Sequence, residues 1–562
     1  MPLDYQKLTF AYSRSSDQGR EHSAHHPAHH SVVIVGAGPV GLTCAIDLAR
    51  QGVRVVVLDD DDTLSTGSRA ICFAKRTLEI WDRLGCGERM VEKGVSWNIG
   101  KVYFRDELVY RFNLLEEPGH HRPAFINLQQ YYVEGFLYEA ASNQPNLELR
   151  WKNKVVALEQ SDDRATLTVE TPDGTYALAC DYVVACDGAR SPMRGMLGLK
   201  STGHTFRDRF LIVDVKMKAD VSARFAAERW FWFDPPFHRG QSVLLHMQPD
   251  GVWRIDFQLG WDADPVAERE PSRVAARVKA LLGKDAEFEF EWMSVYTFAC
   301  VRMERFRHGR VLFAGDAAHG VSPFGARGAN AGVQDADNLA WKLHLVLTGK
   351  APDRLLDTYD EERGYAADEN ILNSTRSTDF ITPKTDVSRT FRDAVLQLAH
   401  DHPFARTLVN SGRLSTPATL ASSRLNTPDA YRFEGPMVPG TACPDAPITI
   451  AGDPAWLLDQ LRGDFTLLHF AGGGALDRSL ADLARLPLPI RLVIVTSGAS
   501  ERSIDIDDAI VARDVEGYVA RRFDAHPGTT VLLRPDQHVC ARWRRFDMED
   551  VQVALAHATC ND

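Results

Sequence analysis

No stretch of this chain approaches the roughly 18 consecutive apolar residues that a bilayer-spanning helix needs, so none is expected. The amino-terminal stretch lacks the apolar core of a secretory signal. No CxxC pair occurs among the nine cysteines. An odd count without a secretory signal favours reduced thiols in a cytoplasm over disulfides. Positive charge is in short supply: 64 Lys and Arg against 76 Asp and Glu leave a net charge of −12. That argues against a nucleic-acid or anionic-membrane surface. Internal repeats are absent. At 562 residues the chain exceeds a single core, and two to four domains are expected.

What is present is organised around Ser31–Asp60, SVVIVGAGPVGLTCAIDLARQGVRVVVLDD. Val32–Val35 is the short β-branched run of a buried strand. Gly36, Gly38 and Gly41 follow at G-x-G-x-x-G spacing, and Leu42, Ala45, Ile46 and Ala49 then repeat at helical spacing. Gly52 stops the helix, and Val53–Leu58 returns as a second buried strand ending at Asp59. This is a dinucleotide-binding unit. Its glycines permit a tight turn, close approach of a pyrophosphate and close helix–strand packing. The helix N-terminus offers unpaired N–H groups and a positive dipole end, and Asp59 can bond an adenosine ribose. The candidate contacts are Gly36, Gly38, Pro39, Val40, Gly41, Asp59 and Asp60. The stretch alone does not separate NAD from FAD.

Residues 1–30 are polar, with His22, His25, His26, His29 and His30 at their end. A metal-binding tract is one reading; a disordered tail without metal is the one expected. A loop at Gly67–Arg69 and an amphipathic helix at Thr77–Leu84 bring Arg69 and Arg76 near the nucleotide in sequence, where either could meet a pyrophosphate or form a surface ion pair. Residues 100–125 read as strands and Asn127–Asn143 as a helix with Gln130 at its start. Residues 147–186 read as a meander that ends in the buried strand Tyr182–Ala185 and in Asp187-Gly188. Residues 205–300, rich in β-branched and aromatic residues, read as an antiparallel sheet with one helix near Pro271–Leu282, a wall for a second ligand. Gly309–Leu347 repeats strand, glycine turn and helix: Val311–Ala314, then Asp316, then Gly325, Gly328 and Gly332 with Asn330 near the helix start. Residues 351–400 are helical, and 401–445, rich in Ser, Thr and Pro, are a linker. From Asp464 a small α/β unit follows with the strand and helix order of a thioredoxin-like domain.

Three separated motifs, GAGPVG with Asp59, CDGARSPMRGMLG, and GRVLFAGDAAHGVSPFGARGANAGVQDADNL, together resemble the FAD-dependent aromatic hydroxylases, the single-component flavoprotein monooxygenases of the p-hydroxybenzoate hydroxylase and phenol hydroxylase type. The resemblance runs from about Val32 to Arg363, and TACPDAPI with LLRPDQHVCARW looks like the thioredoxin-like tail of the phenol hydroxylase branch. It implies an α/β fold with a discontinuous Rossmann-like FAD-binding domain (31–200 and 300–400), an antiparallel-sheet substrate domain (201–299), the linker (401–445) and a C-terminal thioredoxin-like domain (446–562). It implies FAD as cofactor and NADH or NADPH as co-substrate. Asp59 would hold the adenosine ribose. Arg69 and Gln130 would lie near the pyrophosphate and flavin, and Asp187-Gly188 with Arg194 would face FAD and NAD(P)H. Asp316 would hold the ribityl chain. Gly328, Ala329 and Asn330 would lie at the flavin pyrimidine edge, where a helix dipole favours negative charge. Pro323 matches a proline whose carbonyl lies near the substrate. Two positions depart from the pattern: Arg327 stands where many relatives have glutamine, and Ile71 where phenol hydroxylase has a proton-accepting aspartate.

The reaction so implied is hydroxylation of a phenolic aromatic by NAD(P)H and O2 through a flavin C4a-hydroperoxide. An ordinary phenol titrates near ~10, so a base or hydrogen-bond relay should help at neutral pH, in a site kept dry. His246 on SVLLHM is the first candidate base, Tyr296 on SVYTF the second and Lys75 the third. Asp256 on WRIDFQL could be paired with Arg254 or another base on the sheet's solvent face. The competing readings are a non-oxygenating FAD reductase or oxidase of the same fold, a non-catalytic FAD-binding scaffold, a hydroxylase of larger polyketide-type aromatics, and a flavin halogenase. The halogenase W-x-W-x-I-P is not met, because Trp230–Pro235 ends in Asp-Pro. The expected partners are a small aromatic, O2 and NAD(P)H, without nucleic acid or membrane, in a cytoplasmic protein for which a homodimer is the assembly considered.

Overall fold

The computed structural model describes residues 5–18, 27–65, 70–409, 415–472, 476–497 and 506–562. The main elements run β1 (Ala28–Val35), α1 (Pro39–Arg50), β2 (Val55–Leu58), α2 (Lys75–Arg83), α3 (Gln130–Ser142), β3 (Leu147–Arg150), β4 (Gly174–Ala185), β5 (Ser201–Met217), β6 (Arg229–Phe233), β7 (Ser242–Met247), β8 (Val252–Leu259), β9 (Phe288–Met303), β10 (Val311–Phe313), α4 (Gly328–Leu347) and α5 (Asp357–Ile381).

The first sheet is a Rossmann-like unit, with β10, β4, β1, β2 and β3 side by side and parallel. Val32, Val33, Ile34 and Val57 are buried, as the apolar runs of a sheet covered on both faces must be. The expected meander over 147–186 needs correction. β3 leaves it and joins β2 as an edge strand, and β4 is one continuous strand of 12 residues rather than two. Its amino-terminal half pairs antiparallel with Ala165–Thr171, while Leu178–Ala185 runs parallel to β1. Local turn signals do not reveal that one strand serves two partners.

The second sheet has eight strands, in the order His319–Gly320, β9, β5, β8, β7, β6, Ile99–Phe104 and Glu107–Asn113. Its core is antiparallel, but Ile99–Phe104 runs parallel to β6, so a segment of the first 200 residues completes the sheet. The outer face, with Leu211, Val213, Ile255 and Phe257, is covered by Val274, Val278 and Leu282 of the helix Pro271–Leu282. The inner face has an apolar half, where Phe210, Phe231, Leu244 and Phe298 pack with Phe324, and a polar half described below.

Near the carboxyl terminus, a seven-stranded sheet has three parallel central strands, Ile510–Asp514, Arg491–Ser497 and Thr466–Phe470, flanked by antiparallel ones, the thioredoxin-like arrangement. Its turn Arg534-Pro535-Asp536-Gln537 docks on the back of α4. Arg534 bonds Glu362 at 2.6 Å and Asp536 at 2.6 Å; Lys342 bonds Glu362 at 2.7 Å; and Asn338 bonds both acids. Arg76 joins from α2, donating to Gln537 Oε1 at 2.7 Å, to the Asp536 carbonyl and to Asp337. Arg76 is therefore neither on the surface nor turned to the nucleotide.

The tail is also corrected. Tyr5 and Phe10 are buried. The Phe10 ring stacks on Trp151 at 3.9 Å, and Tyr5 fits where a Cβ on Gly135 would come within 2.4 Å of its ring. Asp17 bonds His30 at 2.8 Å and Arg150 at 2.8 Å. Polar composition suggested disorder; two aromatics with a socket more than a hundred residues away outweigh it. His29 and His30 lie in β1, and His22, His25 and His26 fall outside the described residues. Among the described residues no His, Cys, Asp and Glu cluster could hold a metal ion, and no helix is long and apolar enough to cross a membrane.

Candidate functional site

The carboxyl ends of the parallel strands carry a line of partly exposed residues among buried ones: Gly36, Gly38, Pro39, Val40, Asp59, Asp187, Gly188, Gly328 and Ala329, with Asp60 and Asp316 exposed. Gly36 has φ +107°, and a Cβ there would meet the Cys186 carbonyl at 2.5 Å, so the turn leaving β1 admits no side chain. Gly41 is closed in the same way by the Gly36 carbonyl. At Gly38 a Cβ would meet nothing within 4 Å: the backbone faces open space at the N-terminus of α1, the arrangement that lets a phosphate approach N–H groups. Asp59 accepts from Ala37 N–H at 2.6 Å and from Asp61 N–H at 2.9 Å, and its burial pushes the carboxyl up. The acid thus shapes the glycine turn and keeps part of its surface accessible.

Arg69 lies outside the described residues, but the residues flanking its loop are pinned. Gln130 Oε1 accepts from Ala70 N–H at 3.1 Å, and Glu134 accepts from Ser65 N–H at 2.7 Å and Oγ at 2.6 Å. Gln130 Nε2 donates to Glu134 at 2.8 Å. Asp187 Oδ2 accepts from Met193 N–H at 2.9 Å, whereas its buried Oδ1 has no partner among the described residues. Beside it, a Cβ on Gly188 would meet nothing within 4 Å. Arg194 donates to the Ala317 carbonyl at 2.8 Å, tying this loop to the turn that carries Asp316.

That turn is held from behind by Asp335. Its carboxylate accepts from Gly315 N–H at 2.9 Å, His319 at 2.7 Å and Arg363 at 2.7 Å. Burial alone would raise its pKa; His319 and Arg363 more than offset this and hold it below the usual carboxylate range. A Cβ on Gly328 would lie 3.9 Å from Asp316 Oδ1, so Asp316 and the start of α4 converge. The Asn330 side chain is fully engaged. It accepts from Ala74 N–H at 2.8 Å and Thr77 at 2.7 Å, and donates to the carbonyls of Cys72 at 2.9 Å and Ala326 at 2.6 Å. Only its backbone remains for a ligand. Arg327 is buried, pushed down to about 10 by that burial, and bonds Asn370 at 3.0 Å. Pro323 is exposed, and its carbonyl accepts from Ala326 N–H at 3.2 Å.

The polar half of the sheet's inner face meets this end at Cys72, whose sulfur accepts from Arg229 Nη1 at 2.8 Å while its carbonyl accepts from Asn330. His246 pairs with Arg254 across β7 and β8, Asp256 pairs with Leu244 and Ile212, and Asp214 pairs with Arg254. Arg254 is bonded to Asp214 at 2.7 and 2.8 Å, not to Asp256, and Asp256 lies on the inner face, so both parts of the sequence expectation for Asp256 are corrected. His246 is buried, and neither ring nitrogen has a partner among the described residues. Burial, then Arg229 and Arg254, hold its pKa well below the ordinary imidazole value, which makes it a weak proton acceptor. Asp256 is pushed up to about 6 by burial, against the pull of Arg254 and Arg229. Tyr296 is 40% exposed and pairs with Phe210, at the apolar end of the face. Lys75 is tied up by Glu79.

Sequence reasoning missed Glu134, Asp335 and the Arg254–Asp214 pair. An acid set within an apolar helical face, as Asp335 is between Val333 and Ala336, is the one local signal that could have marked a buried anchor.

An FAD binding domain model matches residues 29–374, and a C-terminal aromatic-ring hydroxylase model matches residues 437–560. A 3-(3-hydroxy-phenyl)propionate/3-hydroxycinnamic acid hydroxylase of Mycolicibacterium gilvum is 31% identical, across 94% of this chain and 92% of that protein. A 12-dehydrotetracycline 5-monooxygenase/anhydrotetracycline 6-monooxygenase of Streptomyces rimosus is 29% identical, across 91% and 95%. The ternary complex of aklavinone-11 hydroxylase with FAD and aklavinone superposes with a TM-score of 0.75 at 25% identity, covering 94% of this chain and 99% of that one.

Proposed function

The chain belongs to the FAD-dependent aromatic-ring hydroxylases, and from that premise we propose that it is a monooxygenase using FAD, NADH or NADPH, and O2 to hydroxylate a phenolic aromatic. The observation that carries the reading is the junction at Cys72, where the start of α4 and the polar face of the second sheet meet through Asn330 and Arg229. A cofactor groove and a second-ligand wall share one point there.

The residues fit FAD. The open backbone at Gly38 and Gly188 and the unpartnered Asp187 Oδ1 leave room and a hydrogen-bond acceptor along the strand ends. Gly36–Gly41 and the N-terminus of α1 would take the pyrophosphate, and Asp59 with Asp60 the ribose. Arg69 would serve the middle of the cofactor, as the family resemblance implies, and Asp187, Gly188 and Asp316 would continue along it. Gly328, Ala329 and the Asn330 backbone would meet its reactive end. Bound there, FAD supplies the transfer of two electrons from the nicotinamide and the activation of O2. The first-turn N–H groups of α4 favour negative charge at that end. Phe210, Phe231, Leu244 and Phe298 keep water from the second ligand.

The test measures NADH and NADPH oxidation by FAD-loaded protein with and without single-ring and fused-ring phenols, with product analysis. Stimulated oxidation and a hydroxylated product are expected. Oxidation equally fast without any phenol, and no oxygenated product, refutes the proposal in favour of a non-oxygenating reductase.

A further inference from the structure

The polar half of the inner face contains two positive and two negative side chains, unevenly satisfied. Arg254 and Asp214 are joined by two hydrogen bonds, and Gln248 adds a third to Asp214 at 3.1 Å, so that pair is complete. Arg229 gives one N–H to the Cys72 sulfur, and its Nε has no partner among the described residues. Asp256 Oδ1 is likewise buried without a partner, as are both nitrogens of His246. Arg254, Ile255 and Phe257 around Asp256 are buried, yet Asp256 itself keeps accessible surface. An unpaired buried carboxylate is costly and adds nothing to stability. Several such groups on one face of a sheet, beside Cys72 and the start of α4, are what a ligand site prepared in advance requires.

The missing partner must satisfy a carboxylate acceptor, a neutral imidazole and a guanidinium N–H at once. A hydroxyl does so, since it donates once and accepts twice. Given the hydroxylase reading, on which this rests, we infer that Asp256 receives the hydroxyl proton of the bound phenol. The O–H bond breaks, the proton goes to an Asp256 carboxylate oxygen, and the bonding pair remains on the phenol oxygen, from which it reaches the ring. The charges facing Asp256 are Arg254 on its own strand, Asp214 on β5, Arg229 on β6 and, uncharged, His246 on β7. The two guanidiniums balance the phenolate as it forms, in a site of low dielectric. His246, kept neutral by burial and by the same guanidiniums, orients the hydroxyl without competing for its proton. Asp256 is ionised above about 6, so it is ready at neutral pH.

The test uses FAD-loaded protein without NAD(P)H and 4-nitrophenol as the probe, whose absorbance reads its ionisation without turnover. In the parent protein the carboxylate keeps the bound probe protonated to higher pH. In Asp256→Asn the probe, still facing the Arg229 guanidinium but no longer the Asp256 charge, should ionise at a pH lower by one unit or more (a tenfold change in proton affinity). With a phenol that binds neutral, hydroxylation should lose its acid limb near 6 and slow at least tenfold, because the hydroxyl proton then has no acceptor within the site, with flavin reduction unchanged. If Asp256→Asn does not retain FAD, Asp256→Glu carries the test: it should keep the acid limb and slow hydroxylation. An identical probe titration in Asp256→Asn, or an unchanged rate in Asp256→Glu, overturns the assignment. A parent protein that holds FAD but binds no phenol overturns instead the aromatic-hydroxylase reading beneath it.

Discussion

Arg534→Ala removes one cation from a group that is neutral as a whole: Arg534 and Lys342 against Glu362 and Asp536, all four buried. The loss is uneven. Glu362 keeps Lys342 at 2.7 Å and Asn338 at 2.7 Å, whereas among the described residues the Asp536 carboxylate keeps the longer contacts of Asn338 at 3.1 Å and of His538, 3.3 Å from the ring and 3.4 Å from the backbone N–H. Breaking a buried pair from one side costs about 3–5 kcal/mol, because the abandoned charge stays out of water. With Glu362 still paired, the low end, about 3 kcal/mol, is expected. The same helix provides a control: Glu361, next to Glu362, meets Arg424 at 3.1 Å with both side chains about half exposed. Arg424→Ala should cost about 0–1 kcal/mol. Urea unfolding, followed separately by far-UV circular dichroism and flavin fluorescence because the chain has several cores, reads both variants. Adding Asp536→Asn to Arg534→Ala should recover part of the loss. A cost for Arg534→Ala no larger than for Arg424→Ala, with no recovery in the double variant, would refute the idea that the C-terminal domain is docked through desolvated charge.

Two further outcomes follow from other buried groups. Asp445, 2% exposed and pushed up to about 7 by burial and then Glu79, has a folded pKa above its ordinary 3.8. Its contribution to stability is complete below that ordinary value and is lost as pH rises through about 7. Asn can still accept the Ala446 and Leu458 N–H groups through Oδ1, so Asp445→Asn should stabilise the protein increasingly from about pH 4 to about pH 7 and evenly above, by a few kcal/mol at most. A urea midpoint with the same pH profile as the parent would exclude this. Phe10→Ala, which empties the stack on Trp151, should cost the arm about 3–5 kcal/mol and expose it to protease, whereas a disordered tail would show no change.

The first strand, glycine turn, helix start and acid were legible because one contiguous stretch encodes them: they lie within 30 residues, and their geometry is local. Asp187 and Asp316 were legible as acids at the ends of apolar runs. The second ligand's wall was not. Whether Asp256 faces in or out depends on strand register, and whether Arg254 is its partner depends on Asp214, forty residues earlier. His246 looked like the base because histidine titrates near neutrality; burial, with an arginine from each neighbouring strand, reverses that. Asn330 was placed correctly at the helix start, yet its four hydrogen bonds to α2, β-strand residue Cys72 and the preceding loop have no sequence signature. The socket for Tyr5 at Gly135 is of the same kind.

The docked Arg534–Gln537 turn also bears on the order in which the protein is made. α4 and α5 leave the ribosome with Lys342 and Glu362 long before Arg534 and Asp536 are synthesised. Until then the two have each other, Asn338 and water, and Arg76 lacks Gln537 behind α2. The apolar face of α4, with Val333, Ala336 and Leu339, can pack on the first sheet's core early, whereas the charged back of the same helix is completed only when the distal domain has been made.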